Sequence, residues 1–133
     1  MRVETYFVSA QLVRELEGSG AVRRIIDDGG DIIHLELVDG QGLMIYLIES
    51  HIPLYEIRNI LTANGENGVH TLFILWSDLL LPGHGRLYQP HDWHLGLMAL
   101  YGDRVYGYEV YRQHVYIYPV HFERLAGTAE CRI

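Results

Sequence analysis

Residues 30–51 read GDIIHLELVDGQGLMIYLIESH, and the fold turns on how this stretch pairs with itself. Ile33, Leu35 and Leu37 are apolar at odd positions, and so are Leu43, Ile45 and Leu47. Side chains alternate faces along a strand, so each odd set lines one face. The two sets share a buried face only if odd residues sit opposite odd residues, because a one-residue slip would move one set to the other side. A three-residue loop, Asp39-Gly40-Gln41, satisfies this by pairing Val38 with Gly42, with glycine supplying a positive φ. This register sets Leu37 opposite Leu43, Leu35 opposite Ile45 and Ile33 opposite Leu47. One step further it opposes Asp31 and Glu49, and His51 follows on the same face.

The flanking segments extend the hairpin. Ala21 to Asp27, with Val22, Ile25 and Ile26, reads as a preceding strand, and Asp28-Gly29-Gly30 as the turn between them. The result is a three-strand antiparallel meander. Upstream, Ser9 is a candidate cap for a short helix through Leu12 to Glu17 that Gly18 and Gly20 end. A strand over residues 3–8 competes with a helical reading there. Downstream, Pro53 suits the first turn of a helix. Leu54, Ile57, Ile60 and Leu61 then recur at helical spacing, so a helix is expected over 54–63, ended by Asn64-Gly65. Thr71 to Trp76, TLFILW, is a continuous apolar run, as expected of a central strand covered on both faces.

Residues 77–92 contain Pro82, Gly83, Gly85 and Pro90 and read as an irregular loop. Asp92 is a candidate cap for a helix over 93–101. Residues 104–122 form a tyrosine-rich pair of strands turning at Arg112-Gln113-His114. The expected fold is therefore α/β (α+β): a mixed sheet with an antiparallel three-strand meander, a crossover helix and a C-terminal β-hairpin, with helices flanking the sheet.

Length, charge and cysteine content narrow the function classes. At 133 residues the chain is one domain by length, with enough sequence to bury a core. The ending AGTAECRI reads equally as a natural terminus and as a boundary within a longer protein. A net charge of −7 disfavours nucleic acid as partner. One cysteine, Cys131, cannot form an internal disulfide, which points to a reducing, cytoplasmic setting. No stretch reaches the ~18 apolar residues of a membrane helix.

Helix, three-strand meander, helix and strand, in that order, resemble the core of the restriction-endonuclease-like nucleases, the superfamily with the PD-(D/E)XK motif. The resemblance covers roughly residues 5–76. Asp31 begins the second meander strand, and Glu49-Ser50-His51 falls where the family has Glu-x-Lys. Gly30 stands in place of the Pro and His51 in place of the Lys. The resemblance implies catalytic positions at Asp31, Glu49 and His51, with Mg²⁺ held by Asp31 and Glu49. Carboxylate oxygens suit Mg²⁺, which orients water and stabilises charge on a phosphoryl group. The departures imply a degenerate, non-catalytic relative that needs no cofactor and acts on a protein partner or by self-association. A Mg²⁺-dependent nuclease is the alternative.

Two further constellations carry chemistry. His91 and His94, three residues apart, would share a helix face and suit a transition metal, with His84 nearby. Tyr106, Tyr108, Tyr116 and Tyr118 alternate along the terminal strands, where tyrosines either pair within a sheet or form an interaction surface.

Overall fold

The computed structural model describes residues 2–27, 30–80, 87–88, 104–121, 123–124 and 131–132. Helix α1 (Val3–Glu17) leads into the meander β1 (Val22–Asp27), β2 (Ile32–Leu37) and β3 (Gly42–Ile48). Helix α2 (Leu54–Glu66) carries the chain to β4 (Val69–Trp76) and a 3₁₀ turn, Ser77–Leu80. After β5 (Leu87–Tyr88) come the long strands β6 (Arg104–Tyr111) and β7 (His114–His121), then β8 (Glu123–Arg124) and β9 (Cys131–Arg132). Six strands form one mixed sheet in the order β1-β2-β3-β4-β6-β7, and the three short ones form a second in the order β5-β9-β8. The meander and the β6–β7 hairpin are antiparallel, whereas β4 runs parallel to both β3 and β6. The α+β class expected from the sequence is the one observed. The expected helix over 93–101, His84, His91 and His94 lie outside the described residues.

Alternation distributes the core to both faces of the large sheet. Ile33, Leu35, Ile45 and Leu47 of the meander face α1 with Ile74 and Tyr108, where Val8 packs on them. Phe73, Leu75 and Val105 point the other way and are covered by Ile57 of α2 and Leu79. The unbroken apolar run of β4 is thereby explained, since Phe73 and Leu75 serve one face and Ile74 the other. Each fully buried side chain of this kind contributes about 1.5–3 kcal/mol.

The central hairpin keeps the expected parity, but its pairing shifts by two residues and its loop by one. Ile33 pairs with Ile45 and Leu35 with Leu43, so Glu36 rather than Val38 lies opposite Gly42. The Gly40 N–H donates to the Leu37 carbonyl (2.9 Å), and the Leu37 N–H donates to the Gln41 carbonyl (2.8 Å). The loop is therefore Val38-Asp39-Gly40, a turn closed by a bulge whose third residue needs positive φ. Gly40 supplies it at φ 90°. The glycine belongs at the third loop position, not the middle one, and that preference moves the pairing. The Asp39 carboxylate also accepts the Gln41 N–H (2.9 Å). As a consequence Asp31 lies beside Leu47, whose N–H donates to the Asp31 carbonyl (2.8 Å), and does not oppose Glu49.

Both helices are longer than their sequence signals. α1 starts at Val3, with Arg2 extended before it, and Ser9 is an interior residue whose hydroxyl donates to the Gly30 carbonyl. α2 continues through Asn64 and Gly65 to Glu66. Asn64 is buried, and its amide donates to Thr71 Oγ1 (2.9 Å) and to the Tyr46 hydroxyl (3.3 Å). These tertiary partners outweigh the weak helix propensity of asparagine.

Candidate functional site

The candidate carboxylates sit at one end of the sheet, where β3, β4 and β6 finish and β2 begins. Glu49 follows the last residue of β3, and Asp31 precedes the first residue of β2. Both share the face that α1 covers, because odd residues of the meander point there. The N-terminus of α1 arrives at the same place.

Glu49 makes the contacts that define this end. Its Oε2 accepts the backbone N–H of Arg2 at 3.0 Å. The Thr5 hydroxyl also helps to hold its carboxyl in the charged form. The first turn of a helix has N–H groups without intrahelical partners and a partial positive charge. Glu49 supplies an acceptor and a negative charge to it from outside the helix. The Arg2 N–H, above all, and then the Thr5 hydroxyl and the Arg2 charge hold the Glu49 carboxyl below its usual range, against the opposing effect of partial burial.

Thr5 is fully buried and its Oγ1 lies 2.8 Å from the hydroxyl of Tyr108, also fully buried. Either hydroxyl can donate to the other, and the pair links the centre of the sheet to α1. Burial raises the Tyr108 pKa, and the negative charges of Glu49 and Asp31 add to that rise. The phenol keeps its proton at neutral pH.

Arg2 completes the cluster. Its guanidinium carbon stands 3.3 Å from the centre of the Trp76 ring, and its Nη2 lies 3.3 Å from Glu4 Oε2. Trp76 is the last residue of β4, so α1 is pinned to the ends of both β3 and β4. A guanidinium over an indole face is a favourable cation–π contact.

Of the residues singled out in the sequence, Asp31 and Glu49 reach one side of the sheet, and both act on the Tyr108 hydroxyl. Asp31 and His51 are exposed, and His51 lies two residues beyond Glu49. Tyr108 is a correction: it is core, with no exposed surface, and its hydroxyl meets Thr5 instead of forming an interaction surface. Tyr106 is half-buried on the same side, with Arg104 5.8 Å from its ring. Tyr116 and Tyr118 point to the opposite side; Tyr116 is 47% exposed, and Tyr118 is half-buried. Cys131 lies in β9.

Arg2, Thr5 and Trp76 carry no signal that marks them in the sequence. Glu49 meets Arg2 across 47 positions and Thr5 meets Tyr108 across 103. The register places Leu47, not Glu49, across from Asp31, so the two carboxylates do not oppose each other across the strands. Among the described residues no three His, Cys, Asp or Glu side chains stand close enough to hold a metal ion. No family model, curated protein or solved structure matches the chain.

Proposed function

We propose that this chain is a catalytically degenerate relative of the restriction-endonuclease-like nucleases that acts as a protein-binding module, through self-association or a protein partner. The observation that supports this reading is the use made of Glu49. The acid that would hold Mg²⁺ in an active relative serves here as an acceptor for the N-terminus of α1. Histidine in place of the motif lysine, and a net charge of −7, favour the same reading.

Incubation with supercoiled DNA, single-stranded DNA and RNA in Mg²⁺ and in Mn²⁺ tests it. The expected result is no cleavage above background and no difference between the native chain and Asp31→Ala. Divalent-dependent cleavage that Asp31→Ala abolishes, in a variant with an unchanged circular dichroism spectrum, overturns the proposal. Asp31→Ala is a cleaner control than Glu49→Ala, which also removes the support of α1.

A second reading, Mg²⁺-dependent phosphodiester hydrolysis through Asp31 and Glu49, is favoured by one observation. Both carboxylates act on the Tyr108 hydroxyl from the same side of the sheet. It requires Glu49 to give up Arg2. A transition-metal site at His91 and His94 ranks behind both.

A further inference from the structure

Strand β7 ends the large sheet, and its hydrogen-bonding direction follows from its own hairpin. Arg112 and Gln113 have φ of 50° and 65°, the pair of positive values that a two-residue type I′ turn requires. Tyr111 and His114 close this turn, and the pairing then runs without a break from Tyr111↔His114 to Arg104↔His121. The closing pair of such a turn exchanges both hydrogen bonds, so the even residues of β7 bond to β6. The odd residues, Val115, Ile117 and Pro119, direct their backbone groups away from β6. Pro119 is an independent check, since a residue without an N–H is tolerated in a strand only where that group would face the free edge. Among the described residues no strand lies beyond β7.

The two edges of the sheet differ. β1 has two register breaks against β2, and it carries Arg23 and Arg24, both bonded to Glu36. Bulges, charged side chains and an edge proline are devices against edge-to-edge pairing, and of these β7 has only Pro119. β7 reads HVYIYPVH, eight residues without Asp, Glu, Lys or Arg in a chain of net charge −7. Tyr116 is 47% and Ile117 40% exposed. Two copies of an acidic protein meet along this strand with no charge facing charge.

We infer that β7 is a homodimer edge, on which the β7 of a second copy adds antiparallel about a two-fold axis and joins the two large sheets. This names the partner for the binding reading above and rests on it. Pro119 selects the register. If Ile117 sat on the axis, Val115 would face Pro119 of the second copy, and the missing N–H would leave the Val115 carbonyl unanswered. With Tyr116 on the axis, Val115 faces Ile117 of the second copy, and every outward N–H of both residues finds a carbonyl. The Tyr116 side chains then meet at a non-hydrogen-bonded pair, where side chains approach most closely. Val115 and Ile117 lie on the other side, in a groove of about 380 Å³ that Gln11, Leu12 and Glu15 of α1 also line.

Sedimentation equilibrium of the full chain, with Tyr116→Lys, Tyr116→Glu and their equimolar mixture, tests this inference. The native chain is expected to dimerise. Each variant alone is expected to dissociate at least tenfold more readily, because like charges meet across the axis, and the mixture to recover a heterodimer. Amide exchange in the native protein gives a second readout that needs no variant. Val115 and Ile117 are expected to gain protection as concentration rises. A native chain that stays monomeric at millimolar concentration overturns the inference, as does a dimer that Tyr116→Lys leaves unchanged. Either result leaves the cleavage test of the preceding section untouched, so the two failures are distinguishable.

Discussion

Thr5 is the buried hydrogen-bond partner of the Tyr108 phenol and helps to keep Glu49 charged. Thr5→Val keeps the shape but leaves the Tyr108 hydroxyl buried without a partner, which costs about 1–3 kcal/mol. Urea unfolding is expected to show that loss, and Tyr108→Phe added to Thr5→Val is expected to recover part of it. The same cluster sets two pH limits. The folded Glu49 carboxyl lies below its ordinary value of 4.5, so its contribution is present above that pH and is lost as pH falls through the folded value. Glu49→Gln is expected to flatten the acid limb of a melting-temperature profile. The Tyr108 phenol lies above its ordinary value of 10.0, so its contribution is complete below that pH and is lost as pH rises through the folded value. Tyr108→Phe is expected to weaken that alkaline loss. At this scale the sequence marks Asp31, Glu49 and His51 by their place in a pattern. It does not mark Arg2, Thr5 or Trp76, whose roles arise from contacts between distant parts of the chain.

At the scale of elements, turn chemistry decides what alternation leaves open. Gly40 has φ 90° and open space around its Cα, so Gly40→Ala meets no neighbour and should cost only the backbone term, about 1–2 kcal/mol. Chemical denaturation measures it. The β6–β7 turn carries the opposite defect, since Arg112 and Gln113 hold positive φ without being Asn or Gly. Replacing them by Asn-Gly is expected to stabilise the protein by about 1 kcal/mol or more, read as a higher denaturation midpoint. The meander, the crossover helix and the central apolar strand are legible because periods of 2 and 3.6 survive in their residues. The hairpin phase is not, because parity alone allows two loop placements and only the glycine's position separates them. α1 is obscured by an inverted pattern: Val3 and Tyr6 are 82% and 65% exposed, while the polar Thr5 and Ser9 are buried. Its anchoring acceptor, moreover, lies on β3 and not in the residues that precede the helix.

At the scale of the whole molecule, among the described residues the large sheet is covered by one helix on each face, and no helix is long and apolar enough to cross a membrane. The end of the sheet that holds Asp31 and Glu49 is tied together by α1, which contacts the ends of β3 and β4 and the interior of β6. In the proposed function this end is a structural clasp and the working surface lies elsewhere. A titration of the ¹⁵N-labelled protein with Mg²⁺ and with Mn²⁺, followed by NMR with Asp31→Ala as control, separates the two roles. The amides of Arg2, Thr5, Asp31 and Glu49 are expected to show no saturable response at millimolar metal, and Asp31→Ala is expected to behave as the native chain does. Saturable shifts or line broadening centred on Asp31 and Glu49, absent from Asp31→Ala, would contradict this reading.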